Sequence, residues 1–238
     1  MASPLAQFEI IKLIPLEIHG FDVSFTNSSL AMVITVFVIL SFLYLGIRNL
    51  NIIPSRLQTV VESTFEFISN MINDNVGKEG VKYFSFIFTL FLFILIGNLL
   101  GMFPYSFTWT SHIIVTFSIA FFIFIGVTII AIYKHGLVKF LKFFAPSGVP
   151  KAMLILLVPI EIISYLSRPI SLSVRLFANM MAGHTLLKVI GGFVFVLGAN
   201  SFVIGGFLPL AFLIALTGLE IVIAFLQAYV FAILTCLY

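Results

Sequence analysis

The sequence predicts an all-α integral membrane protein. It should have five membrane-embedded helices, one of them long and strongly tilted, plus one amphipathic surface helix. Three observations carry this. The chain of 238 residues is 61% hydrophobic and 9% charged, with mean hydropathy +1.23, whereas a soluble domain is about 25% charged. Several uncharged runs are long enough to span a hydrocarbon core of about 30 Å. Finally, Arg168 and Arg175 sit inside apolar sequence, where a central arginine costs about 3 kcal/mol on insertion scales.

Residues 1–28 are mixed, with Pro4, Pro15 and Gly20 as breakers and Glu9, Lys12, Glu17 and Asp22 as charges. They read as a peripheral arm, with His19 at its surface and no cleavable signal peptide. Residues 29–47 are uncharged and form the first span, followed by Arg48 and Arg56. The positive-inside rule then puts the N-terminus outside and residue 48 inside.

Residues 54–74 predict the surface helix. Leu57, Val60, Val61, Thr64, Ile68 and Met71 make its apolar stripe, with Thr59, Glu62, Ser63, Glu66, Asn70 and Asn73 opposite. Pro54 suits its first turn, and Gly77 and Gly80 end it.

Residues 83–133 carry no formal charge apart from His112. They predict a helical hairpin with its turn at GMFPYSFTWTSH, residues 101–112, facing outside. Tyr105 and Trp109 would join an interfacial aromatic belt. Asn98 reads as a helix–helix hydrogen bond, with a place on a polar path as the alternative. Lys134, Lys139, Lys142 and Lys151 then make a basic inside loop.

Residues 151–191 show one helical pattern about 60 Å long, so this helix either bends at Pro159 and Pro169 or lies strongly tilted. Gly191 to Gly206 reads as a glycine-containing connector outside, and residues 207–238 as the last helix, returning inside. The chain ends at Tyr238 without a polar tail, which leaves a truncated C-terminus open.

Glu161, Ser164, Arg168, Ser171, Arg175 and Asn179 fall on one stripe of the long helix at about 100° per residue. Glu161 comes soon after the inside loop. His184 comes late in the same helix, and Glu220 follows the outside connector with Gln227 seven residues on. The order predicts two polar pockets of opposite access, with a fixed positive charge between them. Histidine and glutamate titrate near about 6.5 and 4.3 and can relay protons, whereas arginine stays protonated. A continuous wire would dissipate the membrane potential, so coupling requires a moving carrier on another protein. The structural alternative pairs Glu161 with Arg168, and Glu220 with Lys188 or His184, as plain ion pairs. Lys188 is close enough to the outer end to snorkel.

No P-loop, nucleophile–base motif, metal-ligand spacing or internal repeat is present, and Cys236 is the one cysteine. Nothing in the sequence calls for a cofactor. An ion-coupled secondary transporter acting alone and an inert membrane anchor remain the other classes to weigh.

The stretches SLSVRLFANMMAGH and GLEIVIAFLQAYVF, with PYSFTWTSHI in the turn and FTNSS before the first span, resemble the subunit a family of F-type ATP synthases, called subunit 6 in mitochondria. The likeness covers most of the chain and points to the alphaproteobacterial and mitochondrial branch. It implies a non-catalytic membrane stator beside a rotating ring of c subunits, held with subunit b of the peripheral stalk. By the same resemblance Arg175 faces the ring's carboxylate, flanked by Asn179 and Gln227. His184 and Glu220 match the outer half-channel, Glu161 the acid of the inner one, and Ser171 the small polar position before the arginine. Asn98 also matches. Gly101 stands where some members have an aspartate, which bears on any part the hairpin takes in the proton path.

Overall fold

The computed structural model describes residues 9–15, 17–18, 21–22, 24–48, 51–103, 106–137, 139–140, 144, 151–200 and 204–237. His19, Tyr105 and Lys142, named above, lie outside them. The N-terminal arm pairs with itself: β1 (Lys12–Ile14) runs antiparallel to β4 (Phe25–Thr26), and β2 (Glu17–Ile18) to β3 (Phe21–Asp22). Asn27 ties the arm down, its side chain donating to the Glu9 carbonyl at 3.0 Å and accepting from the Ile11 amide at 3.3 Å.

Helix α1 (Asn27–Ile47) is capped by the Thr26 hydroxyl, which accepts from the Ser29 amide. Helix α2 (Arg56–Asn75) is capped in the same way by Ser55. Pro54 therefore precedes the helix rather than opening its first turn. The buried face of α2 is Gln58, Val61, Ile68, Met71 and Ile72, rotated from the expected stripe: Leu57 and Val60 are exposed. Gln58 is drawn inward because its amide is used at both ends, donating to Glu62 at 2.7 Å and exchanging hydrogen bonds with the Asn51 backbone.

A 3₁₀ stretch, Lys78–Tyr83, leads into α3 (Phe84–Gly101), and a 3₁₀ turn, Trp109–Ser111, leads into α4 (Ile113–His135). Trp109 is not in an interfacial belt. It is 1% exposed, packs on Phe93 at 4.8 Å between ring centres, and donates its indole N–H to the Thr35 hydroxyl at 3.2 Å. A buried indole is stable when its N–H finds a partner, and Thr35 of α1 supplies one.

The long helix, α5 (Lys151–Asn200), has 50 residues and is about 75 Å long at 1.5 Å per residue. It runs unbroken through Pro159 and Pro169 and on past Gly191 and Gly192, so the glycine-rich connector is largely helix. Helix α6 (Ile204–Leu237) likewise begins earlier than expected and contains Pro209. The reason is the solvent: a broken backbone in hydrocarbon leaves amides unpaired at several kcal/mol each, whereas a glycine in a helix costs about 1 kcal/mol.

Among the described residues, five helices are long and apolar enough to cross a membrane: Asn27–Ile47, Gly80–Gly101, Ile113–Lys134, Met153–Leu197 and Phe207–Cys236. The protein is a multi-pass helical membrane protein with α2 as the amphipathic sixth helix. Helix α5 packs chiefly on α6 and α4, and α3 on α6. The core joins Ile68 and Ile72 of α2, Phe91 and Ile94 of α3, Leu176 of α5 and Phe231 of α6. Asn98 of α3, fully buried, donates to the Ala224 carbonyl of α6 at 3.5 Å, which is the interhelical hydrogen bond expected of it.

Candidate functional site: a buried histidine–glutamate pair and an exposed arginine stripe

Helix α5 presents two polar faces. The buried face carries Leu172, Ser173, Leu176, Met180 and His184. The expected stripe lies elsewhere: Ser164, Ser171 and Arg175 are exposed, and Glu161, Arg168 and Asn179 are half-buried. Nine residues at about 100° each place Arg175 and His184 on opposite sides of the helix, about 13 Å apart along its axis. The chain covers His184 and leaves Arg175 uncovered.

His184 and Glu220 are 6% and 4% exposed, and the imidazole Nδ1 lies 3.7 Å from the carboxylate Oε1. The two helices come this close because residue 183 is glycine. A Cβ there would sit 2.6 Å from Glu220 Oε1. Among the described residues, neither oxygen of Glu220 has a hydrogen-bond partner. The pair therefore has two states that both satisfy the contact, a neutral acid facing a neutral ring and a carboxylate facing an imidazolium, which differ by the position of one proton. On its far side the imidazole Nε2 is 3.2 Å from the Thr108 hydroxyl in the hairpin turn. A cavity of about 780 Å³ reaches His184 from the end of the bundle that holds the start of α1; Glu9, Asn27, Ser106, Lys188 and Thr217 line it.

Gln227 shares a face of α6 with Glu220 and is 6% exposed, its Oε1 making no hydrogen bond among the described residues. Near the other end of α5, Arg168 lies over the Tyr165 ring at 5.8 Å. Tyr165 is held in turn by Thr128 of α4 at 2.7 Å and packs on Phe124 and Phe144. Glu161 is one turn before Tyr165 on the same helix. The fold thus brings Glu220 to His184 and leaves Glu161 and Arg175 at separate levels. Sequence reasoning missed Thr108 and Tyr165. Both act across long separations, Thr108 reaching His184 over 76 residues and Tyr165 reaching Thr128 over 37, and no local pattern marks them.

These features define a multi-span helical membrane protein with a buried histidine–glutamate pair reached from one end and an arginine exposed on the opposite face. Residues 29–238 match the family model for the ATP synthase A chain. Among curated proteins the chain is similar to ATP synthase subunit a of Pelagibacter ubique, 57% identical over 237 residues, covering 99% of this chain and 95% of that one. It is 56% identical to that of Mesorhizobium japonicum over 238 residues, covering 99% and 94%. It is 54% identical to that of Paramagnetospirillum magneticum over 241 residues, covering 100% and 97%. The chain belongs to the ATP synthase A chain family, the non-catalytic, proton-translocating subunit of the membrane sector, and these three relatives are alphaproteobacterial.

Proposed function

We propose that this chain is the stator half of a rotary proton path, providing two offset half-channels separated by Arg175. The observation that carries the reading is the division of α5: a buried His184–Glu220 pair reached from a cavity at one end, and Arg175 on the opposite, uncovered face. In this scheme protons enter past Glu220 and His184 and load a carboxylate on a ring of c subunits. They travel round with the ring and leave past Glu161. Arg175 attracts each carboxylate once it is deprotonated and, being always charged, blocks a direct leak. Asn179 and Gln227 flank the arginine, and Ser171 keeps the approach to it small and polar. The ring covers the stripe, and subunit b of the peripheral stalk holds the chain against it. The N-terminus faces outside and the C-terminus inside, which follows from the basic residues Arg48, Arg56, Lys134, Lys139 and Lys151.

The test is ATP-driven acidification of vesicles holding the whole complex, with passive proton leak recorded alongside, for wild type and Arg175→Ala. Pumping is expected to be lost with the complex still assembled. Pumping near the wild-type rate in the assembled variant would overturn the reading.

A further inference from the structure

We infer that Thr108 is a positioning residue for the proton-carrying pair: its hydroxyl fixes His184 in the tautomer protonated at Nε2, so that Nδ1 is presented to Glu220. The inference rests on the half-channel reading above and adds to it a residue of the hairpin turn.

Thr108 is fully buried, and its hydroxyl makes two contacts, the Gly101 carbonyl at 3.1 Å and His184 Nε2 at 3.2 Å. A hydroxyl has one proton to donate. The carbonyl can only accept, so the Thr108 proton goes to Gly101, and the contact with the ring is then made by Nε2–H donating to the hydroxyl oxygen. In the neutral ring the other nitrogen is left as an acceptor, and that nitrogen is the one 3.7 Å from Glu220 Oε1. A proton on the Glu220 carboxyl then has an acceptor facing it: when the 3.7 Å gap closes to hydrogen-bond distance or is bridged by one water, the O–H bond breaks, an Nδ1–H bond forms, and an imidazolium faces a carboxylate. The reverse step restores the neutral pair. Neither direction needs the ring to turn over.

The surroundings hold the hydroxyl in place. The Thr108 carbonyl accepts from the Ser111 hydroxyl at 2.6 Å, and the next residue, Trp109, is anchored on Thr35. Residue 101 has to be glycine for the same reason, since a Cβ there would lie 2.5 Å from Thr108 Cγ2 and 2.8 Å from Oγ1. The hairpin turn therefore contributes a hydroxyl from position 108 in space that a side chain at 101 would fill. Of the described ionisable residues around His184, Glu220 comes from α6, Lys188 from α5 itself, and Glu9 from the N-terminal arm across the cavity. The turn adds hydroxyls.

The test uses the whole complex in vesicles and compares Thr108→Val, Thr108→Ser, His184→Ala and the Val/Ala double variant. Thr108→Val should slow pumping about threefold to tenfold and move the midpoint of its dependence on cavity-side pH by about half a unit to one unit, the size one hydrogen bond commands. Thr108→Ser should restore both. In the His184→Ala background Thr108→Val should have no further effect, because a positioning residue acts through the group it positions. Wild-type rate and profile in Thr108→Val, or an undiminished effect of the valine without His184, would overturn the inference. Nitrogen-15 NMR of histidine-labelled wild-type complex tests it without a variant. The His184 signal should be that of the Nε2-protonated ring, and an Nδ1-protonated neutral ring would overturn it. If Arg175→Ala abolishes pumping while Thr108→Val is silent, the half-channel reading stands and the role of Thr108 falls. If Arg175→Ala still pumps, the half-channel reading fails, whatever Thr108 does.

Discussion

Gly183→Ala is the smallest change that separates the pair without removing either member. The added Cβ would lie 2.6 Å from Glu220 Oε1 and 3.1 Å from its Cδ, against an ordinary contact of 3.4 Å or more. The atom in the way is the far end of a flexible side chain, so the helices need not part. The carboxylate has to retreat by about 0.8 Å, and the retreat is away from α5, which carries both the new methyl and His184. The separation of 3.7 Å, already just beyond hydrogen-bond range, then grows to about 4.5 Å, from which a small side-chain movement can no longer close it. A misplacement near 1 Å at a reacting centre costs as much as about 100-fold, and an off-rotamer side chain about 1 kcal/mol. The expected result is a complex that assembles in normal amount and pumps 10- to 100-fold more slowly (roughly the upper range for such a displacement). The assay is ATP-driven acidification of vesicles, normalised to assembled complex. Gly126→Ala is the control, because a Cβ at that position of α4 meets nothing within 4 Å. Wild-type pumping in Gly183→Ala would refute the reasoning, since it would mean that the distance between His184 and Glu220 does not limit the flow.

Two further outcomes concern stability. Thr35→Val leaves the indole N–H of Trp109 buried without its acceptor, which should cost about 1–3 kcal/mol and lower the temperature at which the solubilised complex comes apart; an unchanged temperature would remove this bond from the account of the turn. His112, at the N-terminal end of α4 and outside the spans, stacks on Phe107 at 5.1 Å, and burial holds its imidazole below the ordinary value of 6.5. The unfolded chain therefore takes up the proton first as pH falls. This group's contribution to stability is full above 6.5 and declines as pH falls towards its folded value. His112→Gln should narrow the loss of thermal stability on acidification, and an equal loss in both proteins would show that another group is responsible.

How much of this was legible in the sequence depends on what each feature rests on. Spans and basic loops are one-dimensional, and hydropathy gave five embedded helices and an amphipathic sixth. The error at Gly191–Gly206 came from reading glycine as it behaves in water. In hydrocarbon an open backbone is worse than a helical glycine, and α5 carries on to Asn200. The stripe through Arg175 was periodic and could be seen, but its periodicity did not say which side the chain would cover. Trp109 looked interfacial because Thr35, its partner, lies 74 residues earlier. Thr108 looked like any turn residue, since its role depends on a histidine two helices away. The pairing of Glu220 with His184 came from depth ordering and family likeness together. The glycine that permits it carries no signal until α6 is laid against α5.

The division of α5 between two faces has a consequence for leakage. An arginine exposed on a bare helix in lipid costs about 3 kcal/mol or more, so the face carrying Ser164, Ser171 and Arg175 calls for a partner with acidic or polar groups at that level. A carboxylate docked there would still be on the far side of α5 from His184, about 13 Å along the axis. In the half-channel scheme proposed above, a proton leaving the buried pair has to cross the seam between α5 and α6 before it meets the carrier. Gln227, buried on the Glu220 face of α6, and half-buried Asn179, one turn past Arg175, carry amides on those two helices. Neither amide titrates, so they can orient a proton's path but cannot store a charge on it. If the pair and the arginine shared one face, the carrier could exchange with both pockets at once and the potential would drain. In the proposed scheme, their placement on opposite faces makes the partner's movement part of the path, which is the condition under which about 2.3 kcal/mol per charge per 100 mV could be turned into rotation.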